Sequence, residues 1–446
     1  MRRFQFAALI FIVSGTSPAA LAAGYGLKEE SADAMGAAYA GSAAGGPDAS
    51  YLAYNPAALG QVQDFDVSVS GIGILPGSRG NYTTALTSAG TPTGGGANPS
   101  GYVSDALVPA FVARYRLNDQ WAIGLSINAP DGLRTDYPRT WAGRYYAEKT
   151  ELLTIDMTPT VSYQPIPGLI LGAGVQIEFA KGTLTSAIDT GTIGAGAGIP
   201  GSIPGAQDSF ASLSGNNWTE GYTIGAIESF SPGLTIGIAY HSAMQQDLSG
   251  RETFRLDRSG IGATIRALTG AFTDTHGTAP VVMPDNVNVG ARVRFSDEWT
   301  GLAEVDWINW SRFHNLTVTS TNPAQPPDIT DARWRNTLFG SVGAEYRPND
   351  TWLFRGGVAF DDSPSNDIQR EPRIPDTSRL WLAMGVRYSW NDSTDISVSA
   401  AHLFTPSESV AQDPTKLGNA ARGVLIGSTA AYVDTVGLQV SWRPGW

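Results

Sequence analysis

Along most of the chain, apolar residues fall on one parity over stretches of about ten residues, the length of a strand that crosses a bilayer. Trp352, Phe354, Val358 and Phe360 alternate with Arg355, Gly357, Ala359 and Asp361. Leu380, Leu382, Met384, Val386, Tyr388 and Trp390 alternate with Arg379, Ala383, Gly385, Arg387 and Ser389. Val287, Val289, Ala291, Val293 and Phe295 alternate with Asn286, Asn288, Arg292 and Arg294. A strand turns successive side chains to opposite faces, so each of these has one greasy and one polar face. There are too many of them, in one run, for a single soluble core to bury. The pattern predicts an all-β fold: an antiparallel transmembrane barrel with lipid outside, a wet or plugged lumen, and no open strand edge in the hydrocarbon. Fourteen strands are expected, centred near 63–75, 105–117, 120–130, 148–164, 168–186, 218–230, 233–248, 284–296, 298–320, 332–347, 351–361, 377–390, 394–405 and 431–446.

The connections alternate between short and long. Arg116–Gln120, Pro165–Gly168, Ser231–Gly233, Ser296–Glu298, Pro348–Asp350 and Asn391–Ser393 are turn chemistry. The long connections run over about 76–104, 131–147, 187–217, 249–283, 321–331, 362–376 and 406–430. Short periplasmic turns and long outer loops are the arrangement of bacterial outer-membrane barrels. An even strand number puts both termini on the periplasmic side. Trp121, Trp299 and Trp352 follow short turns at one offset, and Trp390 precedes one, as interfacial aromatics would. Val436, Leu438, Val440, Trp442 and Trp446 share a parity and end the chain on an aromatic, the form of strand that the barrel-assembly machinery reads.

Arg2 and Arg3, the apolar run Phe6–Val13 and the small residues Ala20-Leu21-Ala22 read as a secretory leader over 1–22, too short in its apolar part to span a bilayer. The expected compartment is the outer membrane of a Gram-negative cell. Zero cysteines exclude a disulfide scaffold and thiolate metal sites. The net charge of −12 argues against nucleic acid as a partner. His241, His276, His314 and His402 have no metal-ligand spacing, and no nucleophile–base–acid set can be ordered. No catalytic residue, metal or cofactor is expected.

Residues 23–60 do not alternate. They are rich in Ala and Gly, and Asn55-Pro56-Ala57 offers an N-cap followed by proline at a first helical position. Small residues with few charges point to a segment folded up into the lumen, leaving 61–446 as the barrel. The parity places Arg292, Arg294, Arg333, Arg335, Arg355, Arg379 and Arg387 in that lumen among Glu178, Glu304, Asp306 and Glu345, as ion pairs holding the segment.

Several stretches together resemble one family. Ala23-Gly24-Tyr25-Gly26-Leu27-Lys28-Glu29 and Asn55-Pro56-Ala57 are similar to the N-terminal hatch of FadL-type long-chain fatty acid transporters, a family that also includes aromatic-hydrocarbon channels. Asn128-Ala129-Pro130-Asp131-Gly132-Leu133 resembles its kinked third strand. Trp352 to Pro364, then Ile374-Pro375-Asp376 and Arg379-Leu380-Trp381-Leu382, resemble its eleventh and twelfth strands. The resemblance implies a monomer that sits among outer-membrane lipid and lipopolysaccharide and passes long-chain fatty acids or other lipophilic molecules by diffusion. It implies capture in an apolar loop groove, for which the sequence offers Ile199, Ile203 and Phe210 with Ile261, Ile265, Leu268 and Phe272. It implies a pocket beside the hatch residues Tyr25, Leu27, Asn55, Pro56 and Ala57, and sideways exit at Asn128, Pro130 and Gly132, a gap expected to be lined near Asn55. For a ligand carboxylate the corresponding regions offer Lys181, Arg333 and Arg335. Neutral aromatic or alkane hydrocarbons are the alternative cargo, and a general diffusion porin is the rival channel.

Overall fold

The computed structural model describes residues 24–61, 64–231 and 233–444; the expected leader and Trp446 lie outside them. Fourteen antiparallel strands close into one barrel. The first strand, Phe65–Leu86, pairs with the second, Ala106–Arg116, and also with the last, Val424–Trp442, from Val67↔Trp442 to Leu86↔Val424. Between them the ladder passes through the third strand (Trp121–Asn128, continued as Gly132–Asp136), the fourth (Lys149–Ile166), the fifth (Leu169–Asp189) and the sixth (Asp208–Ser231). The seventh runs as Leu234–His241 and Met244–Arg255, and the eighth as Thr275–Met283 and Asn286–Arg294. The ninth and tenth pair through Trp299–Ile308 and Thr337–Tyr346, and an outer hairpin, Asn315–Ser320 with Asp328–Asp331, tops them. The eleventh to thirteenth are Trp352–Asp361, Arg379–Asn391 and Thr394–Phe404.

Side-chain direction follows the parity. Trp352, Phe354, Val358 and Phe360 are exposed on the outer wall, while Leu353, Arg355, Ala359 and Asp361 are buried. Near the short turns, cross-strand rings pair: Trp121 with Tyr163 at 4.5 Å, Trp299 with Tyr346 at 4.6 Å, Trp352 with Tyr388 at 4.7 Å. Such amphipathic rings suit the headgroup level.

Several expected long loops are in large part strand. The fifth and sixth strands stay paired from Leu169↔Glu228 to Asp189↔Asp208, so only 190–207 remains as loop, and Phe210 belongs to the sixth strand. The region 249–283 is the end of the seventh strand, a helix at Ile261–Thr269 and the start of the eighth. The first strand reaches Leu86. These wall tops rise past the lipid, where outward side chains meet water and the apolar beat has no reason to persist.

Residues 24–61 fill the lumen. The segment forms one short helix, Ala32–Met35, and 3₁₀ turns at Ser42–Ala44, Ala49–Ala53 and Pro56–Gln61. Ser31, Asp48 and Asn55 cap these pieces, accepting from the N–H of Ala34 (3.1 Å), Ser50 (2.9 Å) and Ala57 (2.9 Å). Its small residues lie against wall glycines. A Cβ on Gly237 would sit 1.9 Å from the Ala43 carbonyl oxygen, and one on Gly357 would sit 2.1 Å from that of Ala37. Charge ties it to the wall as well. Asp33 accepts from Arg355 Nη1 (2.6 Å), Arg387 Nε (3.0 Å) and Ser397 Oγ (2.7 Å), and Asp48 from Arg387. Glu345 accepts from Arg355 Nε (2.9 Å) and Arg292 (2.5 Å). Arg114 reaches Asp66 at 3.0 Å and the Ala58 carbonyl at 2.8 Å.

Three arginines assigned by parity to the lumen are elsewhere. Arg294 pairs with Asp297 in a periplasmic turn, and Arg333 and Arg335 are exposed, paired with Asp331 and Asp362. Arg294 ends its strand, and Arg333 and Arg335 lie in the irregular stretch before the tenth, where strand parity no longer governs direction.

Candidate functional site

The third strand breaks where its sequence lacks a donor. It stays with the second strand as far as Phe111↔Ile127 and with the fourth as far as Asn128↔Asp156. Pairing with the fourth resumes at Gly132↔Leu153, so Ala129-Pro130-Asp131 stands against the two residues Thr154 and Ile155. Thr154 Oγ1 bridges the bulge, accepting from Asp131 N (3.0 Å) and donating to its carbonyl (2.7 Å). Pro130 has no N–H to give the ladder. On the side of the second strand the N-terminal segment takes over: Leu27 N donates to Pro130 O (2.7 Å) and Gly132 N to Tyr25 O (2.8 Å). Above this, Asp136 N turns to the Tyr102 carbonyl at 2.7 Å. The residues lining this seam are therefore Tyr25–Leu27. Asn55, expected there, lies against the sixth and seventh strands instead: its amide donates to the carbonyls of Ala43 (2.6 Å), Ala226 and Ile238 (both 3.3 Å). As the N-cap before Pro56 and Ala57, its position is fixed by that turn.

Tyr25 stands with Trp310 between two spaces, Tyr25 lining one and Trp310 the other. Its ring lies edge-on to Trp310 at 4.7 Å and within 5.6 Å of Phe313 and Trp334, and its hydroxyl donates to the Val282 carbonyl. On one side is an apolar pocket of about 40 Å³, lined by Tyr25, Leu133, Leu152, Leu184, Leu213, Leu248, Val281, Phe313 and Leu316. On the other is a polar cavity of about 150 Å³, which reaches the broken strand at Asn128, Pro130 and Asp131 and continues to Leu27, Lys28, Glu30, Asp156, Gln176, His241 and Asp306. The breaks in the seventh and eighth strands border it too, through Ser242, Met244, Met283 and Pro284.

The outer loops lie against each other. Ile261, Ile265 and Phe272 are buried with Phe254, against Ile193 and Ile199 of the neighbouring loop, while Leu268 (72 % exposed) and Ile203 (58 %) face outward. Asp257 starts the helix, accepting from the N–H of Gly260 (3.0 Å) and Gly262 (2.5 Å). Burial pushes its carboxyl up, but the hydrogen bonds from Ser259, Gly262 and Ile261 outweigh it, leaving the group below the usual carboxylate range. Phe210 sits apart from that cluster, under the Arg255 guanidinium at 4.3 Å.

The three candidates for a ligand carboxylate do not converge on either space. Lys181 is on the outward parity of the fifth strand and exposed, and Arg333 and Arg335 are in the surface pairs given above. The loop arginines Arg373 and Arg422 are buried around Asp328. Burial raises that carboxyl, and the two guanidiniums more than offset it, holding it below its ordinary range. Sequence reading missed the pocket leucines. Their signal was apolar residues on the inward parity, such as Leu152 and Leu248, where a wet lumen calls for polar ones.

A closed, filled outer-membrane barrel with an internal apolar pocket defines a channel for hydrophobic compounds. The chain belongs to the outer membrane protein transport family (OMPP1/FadL/TodX), whose description matches residues 13–443. It is 26 % identical to the long-chain fatty acid transport protein of Escherichia coli K12 over 96 % of this chain and 98 % of that one. It is 24 % identical to outer membrane protein P1 of Haemophilus influenzae, with 97 % of each covered. Among solved structures, a Pseudomonas aeruginosa FadL homologue superposes with a TM-score of 0.85 at 23 % identity, covering 94 % of this chain and 99 % of that one. The Pseudomonas putida toluene transporter TodX does so with 0.66 at 15 % identity, covering 90 % and 96 %. This is a transport protein of the outer membrane, not an enzyme.

Proposed function

We propose that the protein carries long-chain lipophiles, fatty acids among them, passively across the outer membrane. The ligand is captured at the paired loops, where Leu268 and Ile203 offer apolar surface next to the Ile261, Ile265 and Phe272 cluster. Part of its tail then enters the apolar pocket over Tyr25, and it leaves sideways at Asn128–Gly132. The observation that carries this reading is the seam, where the backbone of Tyr25–Leu27 stands in for a missing strand partner directly beneath an apolar pocket. Unpaired backbone facing hydrocarbon costs several kcal/mol. A wall closed there by the N-terminal hatch can open there only when the hatch withdraws. The filled lumen argues against a general diffusion porin.

One observation favours a second reading. No lysine or arginine lines the apolar pocket among the described residues, so neutral hydrocarbons fit it as well as acyl chains do. Proteoliposomes holding the purified barrel test the main reading. Uptake of a fluorescent long-chain fatty acid above that of empty vesicles, with no swelling in small sugars, is expected. Swelling without fatty acid uptake refutes it.

A further inference from the structure

Acceptors predominate around the cavity beneath Tyr25. Asp156, 3 % exposed, leaves Oδ1 without a protein partner, while Oδ2 accepts from Thr158 (2.9 Å) and Gln176 (3.1 Å). Asp306, 2 % exposed, also keeps Oδ1 unpaired, its other oxygen being bound by Lys28. Asn128 directs its amide N–H at Glu30 (2.6 Å) and Gln176 directs its own at Asp156, which leaves both carbonyl oxygens without a donor. Asp131, Glu30 and Asp361 add three more carboxylates to the lining. Among the described residues, the fully buried groups without a partner that can donate there are Trp310 Nε1 and the Thr223 hydroxyl, and the Lys28 ammonium on the lining is engaged by Asp306. A buried acceptor without a donor is penalised, and a carboxylate among carboxylates is repelled.

We infer that this cavity is the channel's head-group site and selects amphiphiles whose polar end donates hydrogen bonds. Long-chain alkylammonium ions are preferred, alcohols come next and ionised carboxylates last. The inference rests on the reading of the apolar pocket above as the tail site. An alkylammonium brings three donors and a charge opposite to that of the lining. A fatty acid is accommodated as the neutral acid, whose O–H can donate to Asp156 or Asp306. At about 150 Å³ the cavity holds a small head together with a few waters.

The test is displacement of a fluorescent acyl probe from the intact protein in zwitterionic lipid nanodiscs, with empty discs as the blank. Dodecylamine, dodecanol, laurate and dodecane compete at neutral pH. Dodecylamine is expected to displace the probe at a roughly tenfold lower concentration than laurate, with dodecanol between them. Asp156→Asn should lower the ratio of amine to dodecane affinity about tenfold, and Asp131→Asn should shift it in the same direction. The second variant serves if the first fails to fold, as judged by heat-modifiable gel migration. Laurate equal to or stronger than dodecylamine on the native protein, or a ratio unchanged in the folded variants, overturns the inference. Dodecane displacing the probe in that case leaves the tail site standing. Failure of all four competitors removes the tail-site reading as well.

Discussion

Asp33→Ala should unseat the N-terminal segment without dissolving the barrel. Asp33 is the acid shared by Arg355 of the eleventh strand and Arg387 of the twelfth, and its side chain and that of Arg355 are 0 % and 1 % exposed. Removing one partner of a buried ion pair costs about 3–5 kcal/mol, because a charge is left uncompensated. Arg355 still has Glu345 and Arg387 still has Asp48, so the lower end, about 3 kcal/mol, is appropriate here. That is a rise of about 10²-fold in the population with the segment detached. The wall strands keep every ladder bond, since Asp33 contributes none. Liposome swelling in a small sugar is the assay: the native protein should be tight and Asp33→Ala should leak, with unchanged heat-modifiable migration. Asp362→Ala is the control. It breaks the half-exposed Arg335–Asp362 pair, worth about 0–1 kcal/mol, and should stay tight. If Asp33→Ala is as tight as the control, the arginine network does not hold the segment.

Replacing Pro130 and Gly132 together by Val should slow uptake of long-chain lipophiles while leaving surface binding intact; uptake at the native rate in reconstituted vesicles would refute sideways exit. Leu268→Asp, on an exposed position, should weaken capture without disturbing the contact between the loops, measured as a raised half-saturation for uptake. The triple change of Ile261, Ile265 and Phe272 to Asp should go further and unravel the loop cluster, each burial being worth about 1.5–3 kcal/mol, with the barrel still inserted. Tyr25→Ala removes a ring packed on Trp310, Phe313 and Trp334, a cost of about 3–5 kcal/mol locally. It should also join the two spaces, so transit should speed up, whereas slower transit would mean that Tyr25 is not the partition.

The wall was legible because lipid imposes the alternation. Each outward Phe354 or Leu382 has one solvent, and each inward Arg355 has another. Where the strands leave the bilayer that constraint ends, which is why Asp208–Asn217 read as loop. The break at Pro130 was legible from backbone chemistry alone, since no proline can serve both sides of a ladder. What seals it was not. Tyr25 and Leu27 meet Pro130 and Gly132 through their backbones, and backbone contacts leave no trace in side-chain pattern. Asn55 makes its contacts through its side-chain amide, but two of the three carbonyls it reaches, those of Ala226 and Ile238, are distant in sequence. Lys181, Arg333 and Arg335 were misplaced for a related reason: a charged residue beyond the lipid can face water on either side of the wall, so its type does not give its direction.

The seam also accounts for how a lipophile could leave without exposing the barrel's edge. Continuous strands are joined by a ladder bond at each pairing position, each worth about 1 kcal/mol net and far more to leave unmade in hydrocarbon. At Ala129–Asp131 the wall on the side of the second strand is closed by two such bonds, from Leu27 and Gly132, to a segment that is not itself a wall strand. Withdrawing that segment breaks few bonds and opens onto the cavity that Pro130 and Asp131 line. Withdrawing a wall strand would break a whole ladder. The freed N–H of Gly132 would then face a cavity rich in side-chain acceptors, and the carbonyl of Pro130 the water that the cavity can hold, rather than lipid alone. The polar lining thus has a use that does not depend on the ligand: it lowers the cost of the open state at the point where the strand is interrupted.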